Sequence, residues 1–552
     1  MRAPRTWCGT GTPPVSASDR GGRANRLAGG FGASAAFMLA AVACVAAPLA
    51  AQDADHPGKA PYDQWCAGCH GVEGNGVGYA TEYMLPRPRD FTQALYQIRT
   101  TESGALPTDA DMLRVIDVGM PGTAMPGWRD RLTQAERRAL VDYLKTFSRF
   151  FETEDAPEPL DIGRPQGGGE DGIAAGREVY ERVECWRCHG QQGRGDGSSA
   201  PDMTDDDDDP IRPVDLTEPW NFNGGGTVED IYLRLRTGLD GTPMPSSDDL
   251  IASGVATEED LWNLAHYVRS LGPEEFPDPA EVIVAGLVED VLPSSPGDSA
   301  WDEQERFWVP LVGQIIVRPR WFAPSVDGVW VQAAHDGEEL ALRLVWHDPS
   351  ESPDPVWDVW RQRVEAMMQP QEGEPAGAGL PDAFSVQFPA VMPDGRELPF
   401  FLGGDARRPV YTWHWSSTDG VRETFGRGLD DTAPLGGGQV GAQAEFEDGE
   451  WRLVLRRPLE AGDDEQRLGF VTGDAIPVAF RAWDGNNAEA GARGSISSWY
   501  FVHLAEPTPT STYAYPVVAA VLAGLLGWLM VRRAQKVGAR STDARPAPAG
   551  AA

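Results

Sequence analysis

The fold is decided by two short motifs, Cys66-Ala67-Gly68-Cys69-His70 and Cys185-Trp186-Arg187-Cys188-His189. Each is followed by the same glycine pattern, Gly-x-x-Gly-x-Gly. The two motifs lie 119 residues apart, and the short segments that contain Met125 and Met244 have the same separation. A constant offset between separate features indicates one structural module that the chain carries twice.

The cysteines and the histidine of each motif have the spacing that attaches a c-type haem. The covalent attachment points are then Cys66 and Cys69 in the first motif and Cys185 and Cys188 in the second, with His70 and His189 as iron ligands. A structural disulfide or a zinc site is the alternative. The remaining cysteines, Cys8 and Cys44, both lie near the N-terminus, and this favours two haem c groups.

A methionine some tens of residues downstream is expected to be the second axial ligand of each iron. Met125 in Gly-Thr-Ala-Met-Pro and Met244 in Gly-Thr-Pro-Met-Pro are the candidates. Met120 is a rival of Met125, but the constant offset favours Met125. A thioether favours ferrous iron, and a histidine and a methionine together leave no open position for a substrate. The pattern therefore indicates electron transfer rather than catalysis on a bound ligand.

An Arg-Pro-x-Asp phrase also occurs in both modules, beginning at Arg87 and at Arg212. Each arginine is a candidate donor to a haem propionate. A plain turn with a solvated arginine is the alternative. The acidic run 205–209 in the second module is interpreted as a solvated loop, with a Ca²⁺ site as the alternative.

On these motifs, residues 52–272 resemble two tandem class I cytochrome c domains. The resemblance implies two small all-α folds, each with one covalently bound haem that has His/Met ligation and carries one electron. We place the first domain at 52–152 and the second at 173–272. The segment between them, 153–172, is rich in proline, glycine and acidic residues and is predicted to be a linker.

Residues 273–505 lack cysteine and are predicted to be mostly strands. Apolar residues alternate before and after Asp336-Gly337, which is typical of a β-hairpin. The stretches 446–455 and 476–483 have the same character. This many short strands favours an all-β, sandwich-like domain.

Several phrases of this domain resemble the haem-binding γ subunit of ethylbenzene dehydrogenase and related molybdenum enzymes. They are 382–389, 399–405, 413–415 and 482–500. The resemblance implies a non-covalent haem b between a methionine and a lysine, but the matching positions carry Gly403 and Gly494.

Two alternatives stay open for the third domain. Either it is a haem-free docking or structural module, or other side chains hold haem b. The first candidates for a substitute haem b ligand are His414, which lies between two tryptophans, and Met392. The further candidates are His335, His347 and His503.

The two ends of the chain predict export and anchoring. Residues 1–51 combine a basic start, an apolar stretch and a small-residue end, which is typical of a signal peptide; an uncleaved anchor is the alternative. Residues 506–512 are predicted to be a linker. Residues 513–531 carry no charge and can span a bilayer, and the basic residues that follow place the tail 532–552 in the cytoplasm. We therefore expect a single-pass protein of the bacterial inner membrane, with its bulk in the periplasm.

The charge balance limits the partners. Asp and Glu number 83 against 47 Lys and Arg, a net charge of −36, which excludes a nucleic-acid-binding surface and favours redox partners with basic docking surfaces. The leading hypothesis is a membrane-anchored dihaem cytochrome for periplasmic electron transfer in a respiratory chain, and not itself an enzyme. An electron-transfer subunit of a larger oxidoreductase, possibly one containing molybdenum, is the second hypothesis. A dihaem peroxidase is the third, and it requires one iron to lack its methionine.

Overall fold

The computed structural model describes residues 56–154, 157–277, 280–289, 291–368, 379–462, 465–506 and 511–542. The predicted signal peptide, residues 1–51, lies outside the described residues. So do parts of the two predicted linkers and the last ten residues of the predicted tail.

The first half of the described chain is helical, and we call its two parts module 1 (α1–α5) and module 2 (α6–α10). The helices of module 1 are α1 (Lys59–Trp65), α2 (Ala67–His70), α3 (Asp109–Val118), α4 (Gln134–Lys145) and α5 (Phe150–Thr153). Those of module 2 are α6 (Gly169–Arg182), α7 (Trp186–His189), α8 (Val228–Thr237), α9 (Asp248–Ala252) and α10 (Glu258–Leu271).

The longer helices begin at threonines. Helices α3, α4, α8 and α10 each have a threonine N-cap whose side chain accepts from the third helical N–H, while an Asp or Glu there reaches back. The caps of α3 and α8, Thr108 and Thr227, repeat the 119-residue offset. The internal repeat of the sequence is therefore also a repeat of local structure.

The first long helix of module 2 packs closely on its last. A Cβ atom on Gly176 of α6 would lie 2.0 Å from the Asn263 carbonyl oxygen of α10, so only glycine allows this crossing. Tyr180 and Tyr267, from the same two helices, meet edge to face with ring centroids 5.4 Å apart. The core of module 2 lies between them and beside the Cys-x-x-Cys-His turn.

The second half of the chain is built mainly of strands, and we call residues 280–506 the β domain. Its elements are β1 (Val282–Leu287), β2 (Phe307–Pro310), β3 (Val312–Gly313), β4 (Gly328–His335), β5 (Glu339–His347), α11 (Asp358–Met368), β6 (Ala383–Pro389), β7 (Val410–Ser416), β8 (Gly420–Gly426), β9 (Thr432–Pro434), β10 (Gly441–Glu447), β11 (Glu450–Pro458), β12 (Ala475–Trp483), β13 (Ser495–Ile496) and β14 (Tyr500–Leu504). The predicted hairpin at Asp336-Gly337 is the β4–β5 pair.

The strands form one mixed sheet with the order β10-β11-β5-β4-β1-β14-β12-β6-β7-β8-β9. Strand β1 runs parallel to both β4 and β14, and the other pairs are antiparallel. One hydrophobic cluster takes side chains from both halves of this sheet, from Leu342 and Leu453 on one side to Phe384 and Trp413 on the other. The sheet therefore bends back so that its two halves share a core.

Two elements differ from the sequence expectations. The third domain is not purely β, because helix α11 lies between β5 and β6. The C-terminal helix α12 (Ser511–Thr542) is longer than the predicted span 513–531 and continues through the basic residues. Its segment Thr512–Lys536 is long and apolar enough to be a candidate membrane span. The most apolar part of this segment is not buried against the rest of the described chain.

Candidate haem sites

The Cys-x-x-Cys-His motifs form the same one-turn helix in both modules. The His70 N–H donates to the Cys66 carbonyl at 2.9 Å, and the His189 N–H donates to the Cys185 carbonyl at 3.0 Å. The carbonyl of each histidine then accepts from the third glycine of the following pattern, at 2.9 Å in both modules. The turn thus holds two thiols and one imidazole on a short segment that is closed by hydrogen bonds at both ends.

A backbone carbonyl orients each imidazole. His70 Nδ1 lies 3.0 Å from the Arg89 carbonyl oxygen, and His189 Nδ1 lies 3.3 Å from that of Val214. Because a carbonyl oxygen can only accept, Nδ1 carries the proton and Nε2 keeps its lone pair. Burial lowers the pKa of both imidazoles and keeps them neutral. This is the tautomer that binds a metal through Nε2.

The four cysteines of the motifs are half-buried free thiols. Burial raises the pKa of Cys66 to about 12 and that of Cys185 to about 11. The sequence left a disulfide open as an alternative, and none of these thiols forms one. Free thiols beside a neutral imidazole are the groups that covalent haem attachment uses.

The two methionine loops have the same pattern of hydrogen bonds. The Met120 N–H donates to the Met125 carbonyl at 3.0 Å, and the Leu239 N–H donates to the Met244 carbonyl at 3.0 Å. A threonine hydroxyl in each loop donates to the first of these residues at 2.7 Å and accepts from the methionine N–H at 3.2 Å. Since Leu239 takes the place of Met120 in module 2, this repeated position does not require a sulfur ligand.

A glycine makes each methionine loop possible. Gly119 and Gly238 have φ values of +77° and +63°, a region that favours glycine. A Cβ atom on Gly119 would lie 2.5 Å from the Met125 carbonyl oxygen. The glycine at the end of the preceding helix therefore lets the chain turn back so that the methionine approaches the module core.

The residues of each module fit a haem c group. Cys66 and Met125 pack against the hydrophobic cluster of module 1, and Cys185 and Met244 pack against that of module 2. Each module thus combines two thiols, an imidazole with a free Nε2 and a thioether around one apolar core. A His/Met haem c uses donors of these types.

The two arginines predicted to bind propionates contact neighbouring parts of the chain. Arg87 of module 1 donates to the Thr81 carbonyl and lies 3.6 Å from Asp209 of module 2. Arg212 of module 2 donates to Ser325 Oγ of the β domain at 2.5 Å and lies 3.6 Å from Asp484. Their role toward a haem stays a prediction, while each guanidinium lies at a junction between successive parts of the chain.

The sequence did not identify a buried residue that joins the two modules. Arg99 is fully buried; its guanidinium donates to Tyr96 and Glu102 carbonyls in module 1 at 2.8 and 3.0 Å. It also donates to the Thr237 carbonyl at 2.9 Å and to Asp240 Oδ1 at 2.8 Å, both in module 2. The signal that could have shown it is an arginine directly after the mostly apolar stretch 94–98.

The β domain contains a cavity of about 790 Å³ with a basic lining. His414 on β7 faces it, with its Nδ1 2.7 Å from Ser385 Oγ on the neighbouring strand. Arg422, Arg481 and Arg493 also line the cavity. Burial, and then the charges of Arg422 and Arg481, lower the pKa of His414 to about 4, so the imidazole is neutral.

The other candidate ligands of the third domain lie elsewhere. Met392 is outside the cavity lining and packs against the hydrophobic core. His335 Nε2 donates to the Ala505 carbonyl at 2.9 Å, and His347 lies 3.7 Å from Asp215 of module 2. Gly403, where the resemblance places the methionine ligand of haem b, does line the cavity. The structure therefore brings His414, and not Met392, to the cavity that Gly403 lines.

Family models match three separate parts of the chain. Residues 53–144 match the family described as cytochrome c oxidase, cbb3-type, subunit III, and residues 173–272 match cytochrome c. Residues 428–495 match the ethylbenzene dehydrogenase family. These matches confirm the family resemblance of all three parts of the chain.

Individual relatives agree with this assignment. Dimethylsulfide dehydrogenase subunit gamma of Rhodovulum sulfidophilum is 26% identical over 253 residues, which cover 42% of this chain and 86% of the relative. Cytochrome c55X of Stutzerimonas stutzeri is 32% identical and covers 20% of this chain and 82% of its own length. Among solved structures, the reducing HAO-like protein complex of Kuenenia stuttgartiensis is 45% identical over 39% of this chain and 96% of its own, with a TM-score of 0.37. The chain therefore belongs to the cytochrome c family, with covalent haem c as its cofactor and with an ethylbenzene dehydrogenase γ-like domain after its two cytochrome domains.

Proposed function

We propose that this protein is a membrane-anchored dihaem cytochrome that transfers electrons in the periplasm, either as a carrier or as the electron-transfer subunit of a larger oxidoreductase. The observation that carries the proposal is the duplicated donor set. In each module, an imidazole held by a backbone carbonyl and a methionine loop with the same hydrogen bonds flank one apolar core.

Cys66, Cys69, His70 and Met125 would hold the first haem, and Cys185, Cys188, His189 and Met244 the second. A haem c with both axial positions filled supplies a one-electron redox couple. The protein's own part is to keep Nδ1–H of each histidine on its carbonyl, which leaves the lone pair of Nε2 free to bind the iron. The thioether of Met125 or Met244 would supply the second ligand, and a centre with both ligands from the protein disfavours the peroxidase hypothesis.

The buried contact between the modules supports transfer between the two centres. Arg99 and Asp240 join module 1 to the start of the loop that carries Met244. A Cβ atom on Gly241, in that loop, would lie 3.0 Å from the guanidinium of Arg89, whose carbonyl holds His70. The ligand segments of the two modules thus lie side by side, which suits a short electron path.

The domain plan and the location follow the sequence. We place the cytochrome domains at 52–152 and 173–272, the linker at 153–172, and a sandwich-like β domain at 273–505. After a short linker at 506–512, residues 513–531 are proposed to cross the bacterial inner membrane. Arg532 packs its guanidinium 4.0 Å from the Trp528 ring centroid, an arrangement that suits the membrane interface. The tail 532–552 is then cytoplasmic, and 1–51 is the signal peptide.

The partner is expected to be a redox protein with a basic docking surface, because the chain carries a net charge of −36. The relative from Rhodovulum sulfidophilum is a dehydrogenase subunit. By analogy we propose a molybdenum oxidoreductase as the partner of the subunit form.

A haem count on the full-length protein tests the proposal. Two covalent haems per chain are expected, with one remaining after Cys66→Ser/Cys69→Ser and one after Cys185→Ser/Cys188→Ser. Each remaining centre should show a reversible one-electron couple and no peroxide turnover. A single covalent haem in the wild type, or peroxide turnover by it, would refute the proposal.

To separate the carrier from the subunit, the chain is purified from its native membrane under mild conditions. Stoichiometric co-purification of a molybdenum-containing protein supports the subunit form. A cytochrome that purifies alone and exchanges electrons with soluble basic partners supports the carrier form.

For the β domain we propose, as a second candidate, a haem b with His414 Nε2 as one iron ligand. The basic cavity and the orientation of His414 by Ser385 favour it. Acid-acetone extraction should release one haem b per chain from the wild type and from His503→Ala, but none from His414→Ala. If the wild type releases no haem, the domain is a docking or structural module.

A further inference from the structure

Three carboxylates meet inside the β domain. Asp348 follows β5, Asp382 precedes β6 and Asp484 follows β12, so three strand ends bring them together. All three side chains are buried, at 0%, 0% and 1% exposure. One oxygen from each lies within 4.8 Å of the others, a separation that one cation can bridge.

Two of these carboxylates accept several hydrogen bonds. Asp382 accepts from the Ser352 N–H at 2.6 Å, from the Gly485 N–H at 3.0 Å and from Trp451 Nε1 at 3.1 Å. Asp484 Oδ1 accepts from two N–H groups of the turn that follows it, at 2.8 and 3.1 Å. These bonds fix the positions of both side chains.

Asp348 is different, because one of its oxygens has no partner. Oδ1 accepts from the Ser350 N–H at 3.2 Å, whereas Oδ2 is completely buried and receives no hydrogen bond. A buried carboxylate oxygen without a donor is costly. It indicates that a group outside the protein chain satisfies it.

The charge of the cluster points to the same conclusion. In the described part of the chain, the three carboxylates make one ion pair, the 3.6 Å contact between Arg212 Nη1 and Asp484 Oδ2. One guanidinium against three buried carboxylates leaves a negative excess. Buried charges of one sign are stable only when they are paired, protonated or bound to a metal.

We propose that Asp348, Asp382 and Asp484 bind a Ca²⁺ ion. The donor set is all oxygen and anionic, and contains no thiolate or imidazole, which favours a hard cation. Mg²⁺ keeps several of its waters and usually takes only one or two carboxylates, whereas Ca²⁺ accepts many protein oxygens. A buried cluster with three carboxylates therefore suits Ca²⁺.

The position of this site gives it a structural role. Asp484 belongs both to the carboxylate cluster and to the contact with Arg212 of module 2. Arg212 also lies over the Trp360 ring of α11, 5.1 Å from its centroid. A cation that fixes Asp484 thereby also fixes the surface on which the second cytochrome module docks.

Equilibrium dialysis of the full-length, haem-loaded protein against ⁴⁵Ca²⁺ tests the proposal after removal of metals with a chelator. We expect one Ca²⁺ per chain that Mg²⁺ at the same concentration does not displace. Asp348→Asn should weaken binding by more than about 100-fold, since even residues that only orient a metal ligand contribute 10–100-fold. Asp394→Asn, an exposed carboxylate of the same domain, is the matched control and should bind like the wild type.

A second measurement covers the case in which Asp348→Asn fails to fold. In the wild type, Ca²⁺ at 100 times its Kd should raise the Tm of the β domain by about 5–10 °C, and Mg²⁺ should not. The proposal is overturned if the wild type retains no Ca²⁺ at about 1 mM, a concentration that fills even weak extracellular sites. It is also overturned if folded Asp348→Asn binds Ca²⁺ like the wild type, or if Mg²⁺ raises the Tm equally.

Discussion

Replacing Arg99 with methionine tests how the two cytochrome modules are held together. Methionine keeps an apolar stem of similar length but removes all four hydrogen bonds of the guanidinium, two of which reach module 2. Breaking a buried ion pair by removing one partner costs about 3–5 kcal/mol. Asp240 keeps 15% exposure and the Gly104 N–H at 3.0 Å. We therefore expect the lower end of that range, about 3 kcal/mol.

The assay is guanidinium unfolding of the full, two-haem chain, followed by haem absorption and circular dichroism. Arg138→Met, an exposed arginine of α4, is the matched control and should change stability by no more than about 0.5 kcal/mol. Asp240→Asn alone and combined with Arg99→Met completes a double-mutant cycle, in which we expect a coupling of about 1–3 kcal/mol. If Arg99→Met behaves like Arg138→Met, or if the coupling is zero, the buried contact does not join the modules.

Three further outcomes are expected. Met125→His should lower one of the two midpoint potentials by on the order of 0.1 V in a spectroelectrochemical titration, because a harder ligand replaces the thioether. Met120→Leu should leave both midpoint potentials unchanged. The reverse result would make Met120 the ligand. Trp220→Ala should remove the packing of module 2 on Trp308 and Trp330, whose ring centroids lie 5.2 and 6.1 Å away. Because Trp220 is only half-buried, the loss of stability should be about 2 kcal/mol, below the about 3–5 kcal/mol of a buried tryptophan, and unchanged proteolysis between module 2 and the β domain would contradict this. The rate of electron exchange with a basic redox protein should fall with ionic strength, and a rate independent of salt would show that the acidic surface does not guide the encounter.

The local parts of the proposed haem sites could be proposed from the sequence because a few adjacent residues make their geometry. A Cys-x-x-Cys-His turn closes on its own backbone, and the 119-residue offset by itself favours Met125 over Met120. The hydrogen bonds of the two loops explain that preference, since Leu239 stands in the second module where Met120 stands in the first. The repeat within the chain distinguishes Met125 from Met120, which a single copy of the motif could not do.

Contacts between distant parts of the chain were not predictable in the same way. Nothing near Arg99 in the sequence shows that Thr237 and Asp240 receive its hydrogen bonds. Likewise, Asp348 and Asp484 are 136 positions apart and meet only because two strands end at the same place. The sheet order depends on long-range pairing, and a parallel strand such as β1 leaves no local turn signal.

The Arg-Pro-x-Asp loop links the orientation of each histidine to the docking of the next part of the chain. Its third residue, Arg89 or Val214, supplies the carbonyl that holds the imidazole. Its arginine reaches forward, from module 1 to Asp209 of module 2 and from module 2 to Asp484 of the β domain. In each loop, the arginine at the junction and the carbonyl that holds the imidazole are two residues apart in the sequence. The same local sequence therefore orients the histidine of each motif and contacts the next part of the chain, although its two arginines have different partners.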